Sequence, residues 1–376
     1  MGLSAVVIGT GWAGEGHAQA LQAADVEVVA VCGRRAEVAQ AFALRIGIDG
    51  VRLDWRSALS ELKPDIVAIA TPGGPHREMA EAAAQEGCHI FCDKPMGVNA
   101  ADARAMLFAV RRANVKHAYG ATSCLEPVFS FARTLLADGA VGALTGIDVQ
   151  SHMGLSNLLP YSWFHQLSQG GGMLNQIFTH GLAQVLFVTD SRPREVVGEA
   201  RCLVPLAPVG PTIHDFRQWF SPVSGVNEET VWRKADADTE YSAMMRLSLP
   251  SGEPVTARFY GSHNAQNPDS GRFALYGTKG SLVITGSGDA KVIHHRDVSR
   301  EGWHQLSIPP ADEPGWLATD SNEQHNWKAV ARRFVADIRG QARSFYPTFD
   351  DGCEASEIIE IVRGGAGWTV VPARSN

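Results

Sequence analysis

The chain has 376 residues, 45% of them hydrophobic and 19% charged, with a formal net charge of −7. That length suits two domains rather than one core, and the negative balance argues against a nucleic-acid or anionic-membrane partner. No apolar run reaches the roughly 18–20 residues that a spanning helix needs.

The first residues read as a strand, Val6-Val7-Ile8, running into Gly9-Thr10-Gly11-Trp12-Ala13-Gly14, a G-x-G-x-x-G pattern. Ala13, His17, Ala18 and Leu21 then recur at helical spacing. Gly9 suits a tight turn, Gly11 lets backbone approach a pyrophosphate, and Gly14 lets the helix pack closely on its strand. The helix N-terminus supplies free N–H groups and the positive dipole end for the phosphates. A bound nicotinamide dinucleotide is therefore expected at Gly9, Thr10, Gly11, Trp12, Ala13 and Gly14.

Strand and helix patterns alternate through the next hundred residues. Strands are expected at 26–32, 65–70, 89–92 and 115–119, with helices at 36–46, 76–86 and 100–112 between them. This alternation predicts a Rossmann-type, doubly wound parallel sheet over residues 1–122, with ligands beyond the carboxyl ends of the strands. Gly9, Gly33, Thr71, Asp93 and Gly120 fall at those ends. Past a helix at 127–137 the pattern changes to longer strands at 146–152, 196–204, 241–249, 255–261, 273–276 and 281–284, with a helix at 173–187. Residues 123–376 are therefore expected to form an α+β domain on a large, mostly antiparallel sheet, serving substrate binding and oligomerisation. A helix at 324–338 completes it, and the C-terminal helices are free to return onto the first domain. The segment 205–234 is long, proline-rich and aromatic (Phe216, Trp219, Phe220, Trp232), which suits an ordered lid or a subunit contact better than a linker.

Six scattered cysteines form no C-x-x-C pair, which points to reduced thiols in a cytoplasmic protein. No secretory leader is evident. His294 and His295 lack ligand spacing, so no metal is expected.

Three segments carry candidate chemistry. At the end of the second strand, where NAD-binding sites usually place a carboxylate, the chain reads Val31-Cys32-Gly33-Arg34-Arg35. Two guanidiniums there suit the 2′-phosphate of NADP, or else they are solvated residues at a helix start. In Cys92-Asp93-Lys94-Pro95, an ammonium at a strand end can hydrogen-bond a substrate hydroxyl; the bland alternative is a surface turn. In Gly170-Gly171-Gly172-Met173-Leu174-Asn175-Gln176-Ile177-Phe178-Thr179-His180, three glycines precede a helix on which Gln176 and His180 stand four apart, hence on one face. His180 is a natural base for a hydroxyl proton, or a structural histidine.

Together these segments resemble the Gfo/Idh/MocA family, the glucose–fructose oxidoreductase and inositol dehydrogenase group. The turn at 9–14, Thr71-Pro72 with His76, Asp93-Lys94-Pro95, the stretch from Gly170 to His180, Asp236-Ala237-Asp238-Thr239 and Tyr346-Pro347-Thr348-Phe349-Asp350-Asp351-Gly352 carry the likeness along almost the whole chain. It implies an NAD(P)-dependent dehydrogenase or reductase that interconverts a secondary alcohol and a ketone on a sugar, polyol or related cyclic substrate. Lys94 and His180 would be the catalytic pair. Arg34, Arg35, Thr71, Pro72, His76, Lys94 and Pro95 would join the glycine turn in holding NADP, or NAD. Tyr161, Trp163, His165, Asn175 and Gln176 would line the substrate side, with core packing the alternative role for Trp163, and a homodimer or homotetramer is implied. Two positions depart from the family pattern. Gln176 replaces an aspartate and cannot accept a proton, and Cys124 stands where an arginine often precedes Pro127 by three. A redox-neutral, cofactor-assisted glycoside-cleaving enzyme and a non-catalytic dinucleotide sensor are the alternatives. A hydrolase finds no G-x-S-x-G motif to support it.

Overall fold

The computed structural model describes residues 2–211, 213, 216–310, 320–341 and 344–374. Its first half is a six-stranded parallel sheet built from β1 (Leu3–Ile8), β2 (Val26–Cys32), β3 (Val51–Arg52), β4 (Ile66–Ile69), β5 (His89–Cys92) and β6 (His117–Tyr119), in the order β3-β2-β1-β4-β5-β6. All neighbours pair in parallel. Ala5 to Ile8 and the whole of β4 are buried, because helices cover both faces and leave no side for polar alternation. These helices are α1 (Trp12–Gln22), α2 (Ala36–Ile46), α3 (Trp55–Leu62), α4 (His76–Gln85) and α5 (Ala100–Arg112). Helix α3 is not among the expected helices, although Asp54 caps it, its side chain accepting from Arg56 N at 3.0 Å.

After α6 (Pro127–Ala137) the chain builds a nine-stranded sheet from β7 (Leu144–His152), β8 (Arg192–Arg201), β11 (Glu240–Ser248), β12 (Pro254–Ser262), β13 (Gly271–Gly277), β14 (Gly280–Thr285), β15 (Val292–Asp297), β16 (His304–Leu306) and β17 (Thr369–Val370). Only β7 and β12 pair in parallel; every other neighbour is antiparallel. Along β11 buried Tyr241, Ala243, Met245 and Leu247 alternate with more exposed residues, as one covered face requires. The expected strands are present with boundaries shifted by a few residues, and β15 and β16 extend the sheet beyond them. The covering helix, α7 (Thr179–Thr189), departs from the expected continuous helix over 173–187. Residues Leu174–Phe178 form a π-helical turn before it, with i→i+5 bonding in place of the i→i+4 register. Asp238 anchors that turn, accepting from Met173 N at 2.8 Å through its carbonyl and from Leu174 N at 2.7 Å through its carboxylate.

Two late helices return to the parallel sheet. α8 (Asn322–Ile338) lies on α1, with Trp327 packed edge-on to Trp12 at 4.8 Å and Gly16 too close to the Trp327 ring to carry a side chain. α9 (Phe349–Gly364) lies on α5 and β8, and its Arg363 pairs with Asp238 at 2.7 Å. The helix expected at 324–338 begins two residues earlier because Ser321 and Gln324 form a capping box. Within 205–234, β9 (Leu206–Pro208) and β10 (Trp232–Lys234) form a separate antiparallel pair.

Candidate active site

One cavity of about 1280 Å³ runs along the carboxyl ends of the parallel strands and continues against the nine-stranded sheet. Gly9, Gly33, Thr71, Asp93 and Gly120, the strand-end residues, all line it. The glycine turn opens its first end. Gly9 has φ +129°, and a Cβ there would lie 2.3 Å from Ala70 O; a Cβ on Gly14 would lie 2.2 Å from Gly9 O. Gly11 is the N-cap of α1, and a Cβ there would meet nothing within 4 Å. Strand and helix thus meet at a contact only glycine permits, while the cap faces open space, and this fits a pyrophosphate at the helix N-terminus. Thr10, Trp12, Ala13, Arg34, Arg35 and Pro72 line the same end. Gly14 stands behind the turn and is not among the lining residues.

Further in, Lys94 lies just past β5, its backbone N–H donating to Asp93 Oδ1 at 2.7 Å. Its Nζ donates to Gln176 Oε1 at 2.6 Å, while Gln176 Nε2 donates to Gly170 O at 2.8 Å. His180 Nδ1 sits 3.0 Å from Ser123 Oγ, which also accepts from Gln184 Nε2 at 3.1 Å. Lys94, Gln176, His180, Ser123 and Gln184 all line the cavity. Burial, then the Lys94 and Lys291 ammoniums, pull His180 down to about 3. Burial also lowers Lys94, against the opposing pull of Asp93. His180 is therefore a neutral imidazole at neutral pH, with the Lys94 charge close by.

Several expected contacts lie behind the cavity wall instead. His76 is fully buried, with its ring nitrogens 2.9 Å from Pro95 O and 2.8 Å from Thr71 O. It ties the Thr71-Pro72 turn to the cis Lys94–Pro95 turn, and neither His76 nor Pro95 lines the cavity. Asn175 is buried and donates to Gly171 O. Trp163 lines the cavity, whereas Tyr161 and His165 do not. His165 Nδ1 accepts from Ser162 N at 3.1 Å, completing a capping box, and its ring packs on Tyr161 and Trp219.

Two other features carry no mark in the sequence. Glu126 and Lys291, 165 residues apart, form a mostly buried ion pair at 2.6 Å in the cavity wall. Ser123 had no motif to mark it. The aromatic segment crosses the cavity: Ile213, Trp219 and Phe220 line it, Trp219 Nε1 donates to Pro160 O at 3.0 Å, and Arg217 reaches Glu15 of α1 at 3.2 Å. Its described residues Ile213, Trp219 and Phe220 thus cover part of the cavity. All six cysteines are free, and among the described residues no cluster of His, Cys, Asp or Glu could hold a metal and no helix is long and apolar enough to cross a membrane.

A family model described as an oxidoreductase family with an NAD-binding Rossmann fold matches residues 3–121, and a Gfo/Idh/MocA C-terminal domain model matches residues 129–283. Levoglucosan dehydrogenase of Pseudarthrobacter phenanthrenivorans is 27% identical over 89% of this chain and 87% of its own length. Inositol 2-dehydrogenase of Rhizobium meliloti is 27% identical over 54% of this chain and 59% of its own. Among solved structures, an oxidoreductase domain protein from Kribbella flavida superposes with TM-score 0.82 at 23% identity, over 99% of this chain and 100% of that one. A levoglucosan dehydrogenase complex with NADH and levoglucosan gives 0.81 at 23%, over the same shares. With both halves matched and the glycine turn, Lys94 and His180 facing one cavity, the chain belongs to the Gfo/Idh/MocA family of nicotinamide-dependent oxidoreductases.

Proposed function

We propose that this protein interconverts a secondary alcohol and a ketone on a sugar, polyol or related cyclic compound, with Lys94 and His180 acting on the reacting oxygen. The carrying observation is that these two side chains, from different halves of the chain, line one cavity with the glycine turn. A nicotinamide dinucleotide held by that turn supplies the hydride acceptor or donor. His180, neutral and with Nδ1 engaged by Ser123, takes the hydroxyl proton at Nε2. Lys94 donates to the same oxygen and stabilises its developing negative charge. Gln176 orients the Lys94 ammonium but cannot take its proton, so a relay through a carboxylate at 176 is absent. Trp163 offers an apolar face for a ring, and Arg34 and Arg35 favour NADP over NAD.

The named relatives support a sugar or polyol: besides those above, a D-apiose dehydrogenase of Paraburkholderia graminis is 35% identical over 36% of this chain. The test is titration with NAD(H) and NADP(H), followed by a screen of levoglucosan, inositols, aldoses and anhydrosugars for change in nicotinamide absorbance. Turnover that is lost in Lys94→Ala and His180→Asn supports the reading. Tight dinucleotide binding with no turnover of any polyol, and no effect of either substitution, overturns it.

A further inference from the structure

We infer that Ser123 and His180 form a charge-neutral proton relay, so that a proton taken at His180 Nε2 is matched by one leaving Nδ1 through Ser123 to the cavity. The inference rests on the reading of His180 as the base. It begins with the groups around the ring. Nδ1 lies 3.0 Å from Ser123 Oγ, while Nε2 has no partner among the described residues and the ring lines the cavity. Lys94 approaches from the end of β5, with Asp93 behind it and neutral Gln176 against its ammonium. Lys291 approaches from the loop before β15, with its charge partnered by Glu126. A protonated imidazole would be a third cation in the field of Lys94 and Lys291. Burial first, and then these two charges, depress His180 to about 3. Among the described residues no carboxylate hydrogen-bonds this histidine; Ser123 does so instead.

That difference has a chemical consequence. A carboxylate can only accept from Nδ1–H and so stabilises an imidazolium, whereas a hydroxyl both accepts and donates. Gln184 Nε2 occupies one Oγ lone pair at 3.1 Å, leaving Ser123 one lone pair and one proton to exchange with Nδ1 and the cavity it lines. In the oxidation direction the substrate O–H bond breaks and its proton goes to Nε2. The Nδ1–H proton goes to Ser123 Oγ, and the original Ser123 proton goes to a cavity water. The electron pair of the C–H bond follows the oxidation proposed above and is unchanged by the relay. The ring is neutral before and after, having exchanged one tautomer for the other, and it resets through water at Nε2 and Ser123 once product leaves. In reduction the same transfers run backwards. Ser123 is a positioning residue in this scheme, acting on the substrate only through His180.

Two measurements on the full-length protein test it. Imidazole nitrogen NMR follows the His180 ring, identified by loss of its signal in His180→Asn. The expected result is a neutral ring down to pH about 5, with a tautomer ratio that shifts in Ser123→Ala and returns in Ser123→Thr. A ring that protonates near its ordinary pH, or a ratio unmoved by Ser123→Ala, overturns the relay. Kinetics with levoglucosan provide the second readout. Ser123→Ala should lower kcat by about tenfold or more with KM within about twofold, Ser123→Thr should restore most of it, and the curved solvent-isotope inventory of the three moving protons should become linear. Unchanged kcat in Ser123→Ala, while His180→Asn abolishes turnover, overturns the relay alone. Unchanged turnover in His180→Asn overturns the base assignment beneath it. If levoglucosan is not turned over, the NMR result decides.

Discussion

Lys94 Nζ and Gln176 Oε1 stand 2.6 Å apart, and the opposite end of the same amide donates to Gly170 O at 2.8 Å. Only an amide serves both neighbours, because Lys94 offers a donor and Gly170 a carbonyl. A carboxylate at 176 would gain an ion pair with Lys94 and turn an oxygen toward Gly170 O. Burial already holds Lys94 below the ordinary lysine range, and an added negative charge favours the ammonium. Gln176→Glu should therefore raise the Lys94 pKa and move the alkaline limb of kcat/KM upward by about one pH unit, since the donor persists to higher pH. Thermal stability should fall, by about 1–3 kcal/mol, for the unpaired carbonyl. A pH–rate profile and a denaturation curve check both signs, and an unmoved limb counts against Lys94 as the donor.

Arg34 and Arg35 line the cavity at the end of β2, and no acidic side chain occupies the position after Gly33. Forked guanidinium contacts to a 2′-phosphate vanish when both are changed, and an aspartate at 34 would accept from ribose hydroxyls. Arg34→Asp with Arg35→Ala should weaken NADP by about tenfold or more while NAD binding holds or improves. Fluorescence titration of the two reduced cofactors reads the ratio directly; equal weakening of both would remove these arginines from the 2′ site.

His17 is fully buried on α1, stacked on Phe91 at 4.1 Å, and neither ring nitrogen has a hydrogen-bond partner among the described residues. Asp93 Oδ2 is 3.8 Å away, beyond bonding reach. Burial lowers the ring from 6.5 to about 4, despite the raising influence of Asp93. The unfolded chain then binds a proton that the folded one refuses, so this contribution to stability is complete above pH 6.5 and is lost as pH falls towards 4. At about 1.36 kcal/mol per unit, the loss at the lower pH is roughly 3 kcal/mol. His17→Phe keeps the stack and removes both the orphaned nitrogens and the titration. Urea denaturation should show the variant at least as stable at pH 7, with its advantage widening at pH 5. Parallel acid sensitivity in the two proteins would assign the loss to other groups.

Much of this architecture was legible because local signals agreed with the fold. The glycine turn, the alternation through β6 and the apolar alternation of β11 each express a period or a steric need within a few residues. Lys94, at a strand end before Pro95, and His180, on a helix after three glycines, stood out only as a pair, through the family resemblance, since each alone suits a turn or a structural histidine. What escaped was set by distance in the chain or by subtle register. Nothing near Glu126 announces Lys291, and Ser123 becomes informative only when α7 brings His180 beside it. The π-turn depends on Asp238, 64 residues beyond Leu174. Tyr161 and His165 have the right chemistry for a ring-binding wall, yet the Ser162 capping box turns the His165 ring inward. Composition identified the aromatics of that region but not their directions.

The Glu126–Lys291 pair offers the sharpest energetic test, because both side chains are mostly shielded and each is the other's charge partner. Burial pushes the Glu126 carboxyl up and Lys291 pulls it back down, so removing the ammonium leaves a carboxylate with little to compensate its lost hydration. Lys291→Met alone should cost about 3 kcal/mol, whereas adding Glu126→Gln should recover a substantial part of that loss. Such non-additivity is the signature of direct coupling, and a double-mutant cycle by urea denaturation measures it. Lys291 also weighs on His180, so Lys291→Met should raise the histidine's pKa while Glu126→Gln, which leaves the ammonium unbalanced, should lower it further. Additive stabilities together with an unmoved His180 titration would mean that the two charges are already screened by water, and that this end of the cavity is wetter than its burial implies.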